Sequence, residues 1–547
     1  MKKVDTYSEY TVADFFCGAG GFSEGFHQSG FKVIFCLDNW KPAIKTHDLN
    51  HVNCKSKLMN ILDIKTEDID KIIPDTNVII GSPPCVSFSN SNKSGKADKT
   101  LGLQLIKQFL KIVLYKLTKE KSILKYWIME NVPNSIKYIK DEYTALELGL
   151  DSNLPNLIVK EKKILTASNY GSPQKRKRAI CGNFVVPKIT HNEKNFKFIN
   201  HVLKDLGQPL NNNKKKITDP FNNKIKINKS ELSDHFYDSE LPEEWWKKAK
   251  KLKTDHGYMG KMEFPDKKVR LCRTIMATES YCSRESIIFN KEKTEKYRAP
   301  TIRELASLMG FPINYQIEGT SSTIKHKQIG NAVCVHLAKA LADAIKEHCN
   351  LKFKNTKPRV IPKIIFNLND ISSPLFSNFI PNKIKKINYK FHMHVPYIKI
   401  NGIRIELDNR DSDFKNNKII WKSFIHKGSG KNAIKAEIKN DNIIKILKNH
   451  KKFNHINSFI ENNISKKIYN SLIFQQKLCN IENNKTHYSP IEILEIISSQ
   501  INFLDCSNEK IEVENFDKIF KYKKKMLYSY DILYCLYCVN KITTLLN

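Results

Sequence analysis

The fold of the first 185 residues is most strongly constrained by four short apolar segments. Each of them ends at a glycine, a proline or a polar turn. They read VADFF, KVIFCLD, NVIIGSPP and YWIMENV, and amphipathic stretches separate them. Apolar strands that alternate with amphipathic helices are typical of a parallel sheet covered by helices. In such sheets, ligands bind beyond the carboxyl ends of the strands. The sequence therefore predicts an α/β domain over residues 1–185 with a binding site where these segments end.

The regular pattern stops between residues 186 and 297. This stretch contains the polar, low-complexity segment NNNKKKITDPFNNKIKINKS, which is typical of loop. Helical periodicity returns in TIRELASLMG and HLAKALADAIKEH. Two prolines in a lysine-rich stretch then indicate a linker at about 350–365.

The C-terminal segment, residues 366–547, is predicted to be a separate α+β domain. Asn401-Gly402 lies between alternating apolar residues, which favours a β-hairpin. Farther on, SPIEILEIISSQINFL has the pattern of a helix. Cys535 and Cys538 lie in an apolar stretch with no second pair nearby, so we expect buried free thiols rather than a zinc site.

Charge and cysteine usage limit the classes of function. The net charge of +35 favours a polyanionic partner such as nucleic acid, although a composition rich in Lys, Asn and Ile is also expected from an AT-rich genome. The thirteen cysteines are scattered and odd in number, which indicates a reducing compartment. We find neither an amino-terminal apolar run typical of a signal peptide nor a stretch that could span a bilayer. We expect a cytoplasmic protein without a membrane partner.

A glycine-rich loop follows the first predicted strand in DFFCGAGGF. Gly18, Gly20 and Gly21 would let the backbone approach a cofactor where a side chain would clash, although a plain tight turn is the alternative. Asp38 ends the second strand, where a carboxylate can accept hydrogen bonds from ribose hydroxyls.

Three further motifs carry reactive groups. GSPPCVSFS presents Cys85 after two rigid prolines, and WIMENVP places Glu130 at the same sheet edge. In QKRKR, Arg176 and Arg178 alternate and could point to one face of a strand, where a guanidinium can grip a phosphate or a pyrimidine carbonyl. Taken singly, each has a structural reading: a buried thiol, a turn carboxylate or a solvated basic face.

Together these motifs resemble the DNA cytosine-C5 methyltransferase family. DFFCGAGGF is similar to its first cofactor motif, PPCVSFS to its nucleophile motif, ENV to its glutamate motif and QKRKR to its Gln-x-Arg-x-Arg motif. RAPTIRELASLMGFP and HKQIGNAV are similar to its ninth and tenth motifs. The resemblance covers about residues 10–348, with all six motifs in the family's order.

The resemblance implies a Rossmann-like class I S-adenosylmethionine-dependent methyltransferase domain at 1–185. It also implies a smaller target-recognition domain at 186–325, which includes the ninth motif, and a tenth-motif helix at 326–350 that returns to the catalytic domain. Duplex DNA would lie between the domains, with the target cytosine flipped out. We expect a monomer, and a companion restriction endonuclease if the chain serves a restriction-modification system.

The resemblance also implies the roles of single residues. Cys85 would attack C6 of cytosine, Glu130 would protonate N3, and Arg176 and Arg178 would complete the catalytic group. S-adenosylmethionine would be the methyl donor, with no metal required. The implied cofactor residues are Phe16, Gly18, Gly20, Gly21, Asp38, Asn39, Asn60, Ile61, Pro84, Leu103, Asn331 and Val333.

Four positions depart from the family pattern. Asn60 stands where an Asp is usual and Asn39 where an aromatic or aliphatic residue is frequent. Val86 replaces the usual Gln after the nucleophile, and Cys334 replaces a common Pro. None of these changes removes a predicted catalytic group.

Three alternatives stay open at this point. A tRNA cytosine methyltransferase shares the motifs, and a catalytically inactive DNA-binding protein could retain the fold. In the C-terminal segment, Asp408 followed by Glu437-Ile438-Lys439 loosely fits a metal-nuclease motif. That arrangement would make the chain a fused methyltransferase-endonuclease. An accessory DNA-binding or specificity domain is the other interpretation of residues 366–547.

Overall fold

The computed structural model describes most of the chain as two compact units, Met1–Phe379 and Ile380–Asn547. The described residues are 9–84, 100–210, 213–254, 262–291, 294–353, 359–377, 386–396, 398–428, 433–482, 484, 486–520 and 527–547. Among them, no helix has both the length and the apolar character needed to cross a membrane.

The first unit is built on a seven-stranded sheet of order β3-β2-β1-β4-β5-β9-β8. The strands up to residue 183 are β1 Thr11–Phe15, β2 Lys32–Asp38, β3 Lys55–Leu58, β4 Val78–Gly81, β5 Tyr126–Asn131, β6 Glu142–Tyr143, β7 Leu157–Ile158, β8 Glu161–Thr166 and β9 Lys177–Asn183. The helices between them are α1 Gly21–Gln28, α2 Lys41–Asn50, α3 Ile69–Ile72 and α4 Thr100–Thr118. An α/β domain is therefore confirmed.

The parallel pairing expected for the four apolar segments is confirmed, and one further strand of the sheet, β9, runs in the opposite direction. Strands β1 to β5 pair in parallel, whereas β9 is antiparallel to both β5 and β8. The physical reason is the short connection at 167–176, which joins β8 to β9 as a hairpin, and strands joined this way run antiparallel.

Both faces of the sheet are buried, as its nearly continuous apolar strands require. One face, with Val12 and Ile128, shares a core with α1; the other, with Phe15 and Trp127, packs on α4. The later elements of this unit are α5 Ile199–Leu206, β10 Lys216–Thr218, β11 Lys226–Asn228, α6 Glu243–Thr254, β12 Phe289–Asn290, β13 Tyr297–Arg298, α7 Ile302–Leu308, α8 Ser322–Asn331 and α9 Val335–His348. Both helices expected from TIRELASLMG and HLAKALADAIKEH are confirmed.

Helix α9 packs closely on α1 because α1 carries glycines at its contact positions. A Cβ added at Gly25 would lie 2.4 Å from the Cβ of Ala338, and one at Gly21 would lie 2.2 Å from the carbonyl oxygen of Val333. Farther along, residues 359–377 also pack on the first unit: Leu368 is fully buried in its core, and the Leu368 N–H donates to Asp234 Oδ1 at 3.0 Å.

The second unit contains a four-stranded antiparallel sheet of order β14-β15-β16-β17 and several helices. Its elements are β14 His392–His394, β15 Ile403–Asp408, β16 Lys422–Lys427, β17 Ile434–Ala436, α10 Asn440–Leu447, α11 Phe453–Phe459, α12 Ser471–Leu478, α13 Pro490–Leu504, β18 Lys510–Glu512, α14 Glu514–Ile519, β19 Leu527–Ser529 and α15 Tyr530–Leu546. The Asn401-Gly402 turn is confirmed: both residues have positive φ, and Ile400 and Ile403 pair across it. Cys535 and Cys538 are buried free thiols, as expected.

Candidate active site

Three loops meet at the carboxyl edge of the sheet and are tied to one another. The Ser82 hydroxyl, after β4, donates to the carbonyl of Phe16, after β1, at 3.0 Å. The Asn131 side-chain amide, at the end of β5, donates to the carbonyl of Pro83 at 3.1 Å. The loop that leads towards Cys85 is thus fixed on both sides, by the glycine-rich loop and by the Glu-Asn motif. Cys85 itself lies outside the described residues.

Glu130 and Arg178 form an ion pair beside these loops. Glu130 pairs with Ile180 across β5 and β9, so Arg178, two residues from Ile180, projects on the same face as Glu130. Arg178 Nε lies 2.7 Å from Glu130 Oε1, and the side chains are 12% and 9% exposed. This geometry holds a carboxyl group in place at the edge of the sheet where the Pro83 loop begins.

Arg176 has different partners from Arg178, contrary to the expectation that both point to one strand face. The strand begins at Lys177, so Arg176 precedes it. Its buried guanidinium donates to the carbonyls of Ile275, Gly330 and Ala332 at 3.0, 2.9 and 3.2 Å. Arg176 therefore fastens the segment between α8 and α9, and the segment near residue 275, to the catalytic sheet.

The glycine-rich loop is held by the carboxylate that ends β2. The Gly18 N–H donates to Asp38 Oδ2 at 2.9 Å, and the Trp40 N–H donates to Asp38 Oδ1 at 2.8 Å. Burial raises the pKa of Asp38, and these N–H groups act in the opposite direction. Gly18 has φ of +53°, and a Cβ added there would meet no atom of the described residues within 4 Å. Within the described part of the chain, the loop therefore borders open space at the position where a cofactor is expected.

Other predicted cofactor residues surround the same corner. Phe16, Ile61 and Leu103 belong to one hydrophobic cluster on the α4 side of the sheet. The Asn60 side chain accepts the N–H of Leu62 at 3.1 Å and so caps the turn that contains Ile61. Val333 is buried against Gly21. The other predicted positions, Asn39, Pro84 and Asn331, are exposed.

The sequence analysis did not identify a buried group of three hydrogen-bonded polar side chains behind the glycine-rich loop. The Ser23 hydroxyl, in α1, donates to Asp14 Oδ2 at 2.6 Å, and His47 Nε2 lies 3.0 Å from the same hydroxyl. Burial raises the pKa of Asp14 to about 7 and lowers that of His47 to about 3. These three side chains connect β1, α1 and α2. The only available signal was the Asp that opens DFFCGAGGF.

Asn131 and Ser82 were also not identified from the sequence. Both lie within motifs that were recognised for a neighbouring residue, Glu130 and Cys85 respectively. Their partners, Pro83 and Phe16, are 48 and 66 residues away along the chain. A contact at such a distance leaves no local pattern.

Comparison with known proteins agrees with this geometry. A family model described as C-5 cytosine-specific DNA methylase matches residues 10–347, more than half of the chain. The type II methyltransferase M.MthTI of Methanothermobacter thermautotrophicus is 29% identical over 361 residues, covering 61% of this chain and 97% of that protein. M.HgiDI of Herpetosiphon aurantiacus, also a type II methyltransferase, is 30% identical over 341 residues, covering 62% of this chain and 94% of that protein.

Among solved structures, the Entamoeba histolytica methyltransferase EhMeth aligns with a TM-score of 0.41 at 17% identity, covering 62% of this chain and 99% of that one. The family match covers the sheet, all three tied loops and the Glu130–Arg178 pair. The chain therefore belongs to the C-5 cytosine-specific DNA methylase family and is a DNA cytosine-C5 methyltransferase.

Proposed function

We propose that this enzyme transfers a methyl group from S-adenosylmethionine to C5 of a cytosine flipped out of a short, specific duplex sequence. The reaction proceeds through a covalent bond between Cys85 and C6 of the base. The observation that carries the proposal is the Glu130–Arg178 pair, 2.7 Å apart, beside a loop that Asn131 ties down two residues before Cys85.

Each residue has a separate role in the proposed reaction. The Cys85 thiolate forms a bond to C6 while Glu130 donates a proton to N3, so the electron pair of the C5–C6 double bond becomes available at C5. Arg178 orients the Glu130 carboxyl and is placed to hold the carbonyl oxygen of the base. After methylation, a base removes the C5 proton, N3 returns its proton to Glu130, the C5–C6 double bond re-forms, and Cys85 leaves with the electrons of the C6–S bond.

The residues at the glycine-rich loop fit S-adenosylmethionine. The space beside Gly18 lets a ligand approach the backbone closely, and the two Asp38 oxygens, with about four acceptor sites, keep acceptor capacity beyond the backbone N–H groups of Gly18, Asn39 and Trp40. Phe16, Ile61 and Leu103 supply an apolar wall suited to an adenine ring. When bound, S-adenosylmethionine supplies an electrophilic methyl group carried by a sulfonium.

Arg176 acts as a positioning residue in this proposal. Its guanidinium donates to three carbonyl oxygens, at Ile275, Gly330 and Ala332, which lie outside the sheet. Those bonds fix the segment that carries Asn331 and Val333 next to Gly21. Arg176 therefore shapes the cofactor corner through the backbone.

Duplex DNA is the substrate that the proposal requires. The net charge of +35 favours a phosphate backbone, since neutralised phosphates release condensed counterions. Residues 186–325, whose described part contains short hairpins and isolated helices, are assigned to target recognition. The type II relatives support a restriction-modification setting with a companion endonuclease.

The test is transfer of labelled methyl groups to unmethylated duplex DNA, with tRNA as the competing substrate. We expect label at C5 of cytosines in one short motif, mapped by bisulfite sequencing, and loss of label with Cys85→Ser. Cys54→Ser is the matched control because Cys54 is partly exposed and belongs to none of the six motifs. Label on tRNA but not on DNA, or full activity of Cys85→Ser, would overturn the proposal.

A further inference from the structure

The sheet of the C-terminal unit has one apolar and one ionisable face. On β15, Ile403, Ile405 and Leu407 point into the core of this unit. Because strand residues alternate between faces, Glu406 and Asp408 lie on the other face. The neighbouring strand β14 adds His392 and His394 to that face, and β16 adds His426. This arrangement concentrates titratable groups in a unit that lies outside the family match at residues 10–347.

Two histidines and one carboxylate converge there. His394 on β14 is directly opposite Glu406, and His426 on β16 is opposite Arg404, one diagonal step from Glu406. The Nε2 atoms of His394 and His426 lie 3.4 and 3.3 Å from Glu406 Oε2. All three donor atoms are within 4.8 Å of one another.

Both contacts with Glu406 are longer than a well-formed hydrogen bond. An N–H···O bond is normally 2.7–3.2 Å long. Both Nε2 atoms are buried, and within the part of the chain that the structure describes neither makes a hydrogen bond of good geometry. The side chains of Glu406 and His426 are only 3% and 10% exposed, so solvent compensates poorly for this geometry. A bound ligand between the three side chains would satisfy these buried nitrogens.

A metal ion is the partner that fits the spacing. Zinc binds imidazole nitrogen at about 2.0–2.1 Å and carboxylate oxygen at about 2.0–2.2 Å, so neighbouring ligand atoms of a tetrahedral site are roughly 3.3–3.5 Å apart. The observed distances from His394 Nε2 and His426 Nε2 to Glu406 Oε2, 3.4 and 3.3 Å, match this spacing between neighbouring ligand atoms. We propose that His394, Glu406 and His426 form a binding site for a divalent transition-metal ion such as Zn²⁺.

The surroundings orient the carboxylate and balance its charge. Glu406 Oε1 lies 2.9 Å from Lys435 Nζ and 3.2 Å from Arg410 Nη2, which directs Oε2 towards the two imidazoles. Asp408 contacts the same two cations at 2.7 and 2.5 Å. Two carboxylates thus offset two cations, and Arg404, the residue opposite His426, adds a further positive charge to the same face.

The site offers three protein ligands among the described residues. The His394 side chain is 35% exposed, but its Nε2 atom, like that of His426, is buried. Three protein ligands with a water or substrate in the fourth position are typical of zinc sites that are not purely structural, since structural sites usually have four protein ligands. The fourth ligand is therefore assigned to a water molecule.

The Asp408…Glu437-Ile438-Lys439 nuclease arrangement is a different set of residues. Asp408 is on β15 and is held by Arg410 and Lys435, whereas Glu437 follows β17, with β16 between the two strands. The proposed metal ligands instead lie on β14, β15 and β16.

The experiment measures zinc bound by the full chain. Protein stripped with a chelator is dialysed against Zn²⁺, and bound zinc is counted by mass spectrometry. We expect His394→Gln and His426→Gln each to bind one zinc fewer than wild type. His392→Gln is the matched control, because His392 is exposed on the same strand and face, and it should bind as much as wild type.

The described residues contain two other groups of possible metal ligands, Cys17/Cys36/His47 and His450/Cys506/Glu509. The decisive number is therefore the difference in bound zinc between each variant and wild type. Cobalt substitution separates them: the ion lost in His394→Gln should show visible d–d bands without a thiolate-to-metal charge-transfer band. Circular dichroism checks that each variant is folded. Independently of any variant, Zn²⁺ should raise the unfolding midpoint of wild type above its value in chelator.

Equal zinc binding by wild type, His394→Gln and His426→Gln would overturn the proposal. So would a wild-type protein whose unfolding midpoint does not respond to Zn²⁺. Loss of zinc in the His392→Gln control to the same extent as in His394→Gln would also contradict it.

Discussion

Arg178 Nε lies 2.7 Å from Glu130 Oε1, and both side chains are nearly buried at the carboxyl edge of the sheet. The antiparallel pairing of β9 with β5 creates this contact, because it places Arg178 diagonally across from Glu130. A parallel sheet of the usual α/β type would not bring these two residues together in the same way. The hairpin of β8 and β9 is thus what places Arg178 beside Glu130.

Replacing Arg178 should reduce the rate of methyl transfer. Arg178→Lys keeps the charge but loses the planar Nε donor to Glu130. A hydrogen bond between charged groups contributes about 1.5–3 kcal/mol, so kcat should fall roughly 10- to 100-fold. Single-turnover kinetics measure the change. Lys177→Gln, at an exposed neighbouring position, is the control, and a comparable fall in that variant would contradict the assignment.

Replacing Asn131 should weaken both stability and catalysis. Asn131→Ala leaves the Pro83 carbonyl without its 3.1 Å donor and releases the loop that leads to Cys85. An unsatisfied buried acceptor costs about 1–3 kcal/mol. Urea unfolding measures the stability loss, and methyl transfer below the denaturation range measures the activity. Asn156→Ala, at an exposed position, is the control and should change neither stability nor activity. Wild-type activity in Asn131→Ala would show that catalysis does not need the hydrogen bond between Asn131 and Pro83.

Two glycines of the same loop should respond differently to alanine. Gly21→Ala puts a Cβ 2.2 Å from the Val333 carbonyl, so α1 and α9 must separate and the unfolding midpoint should fall. Gly18→Ala meets open space, and its cost is the positive φ, about 1 kcal/mol, together with weaker cofactor binding. Thermal unfolding and calorimetric titration with S-adenosylmethionine separate the two effects. A larger stability loss in Gly18→Ala would contradict this packing.

Asp14 should make stability depend on pH. Burial raises its pKa to about 7 from an unfolded value of 3.8, so the native state binds the proton more tightly than the unfolded state. The resulting stabilisation is full below pH 3.8 and is lost as the pH rises to about 7, with a total of roughly 4 kcal/mol. Asp14→Asn removes this titration. The difference in unfolding free energy between the two proteins should therefore change across this window, and a constant difference would show that Asp14 titrates normally.

The local elements could be read from the sequence, whereas the long-range contacts could not. KVIFCLD is strand β2 from end to end, and the Asn401-Gly402 turn forms where alternation and turn chemistry indicated. Arg176 illustrates why long-range contacts could not be predicted from the sequence. Its spacing from Arg178 suggested a shared strand face, but its carbonyl partners lie 99 to 156 residues away. No periodicity encodes such a partner.

The same limit applies to the metal-ligand cluster of the C-terminal unit. His394, Glu406 and His426 are far apart in sequence and are brought together only by the register of three antiparallel strands. The sequence analysis considered Asp408 and Glu437 as one alternative, because they loosely match a linear motif. Strand pairing decides which charged residues meet, and in a lysine-rich chain many linear spacings arise without a contact.

The central claim is a covalent bond between Cys85 and cytosine C6, and trapping tests it most directly. A duplex containing 5-fluorocytosine at the target position cannot lose a proton from C5, so the enzyme cannot eliminate Cys85. We expect, with S-adenosylmethionine present, a protein–DNA complex that survives denaturing electrophoresis, maps to the Cys85 peptide by mass spectrometry, and is absent with Cys85→Ser. A complex that maps to another residue, or that forms equally with Cys85→Ser, would contradict the account.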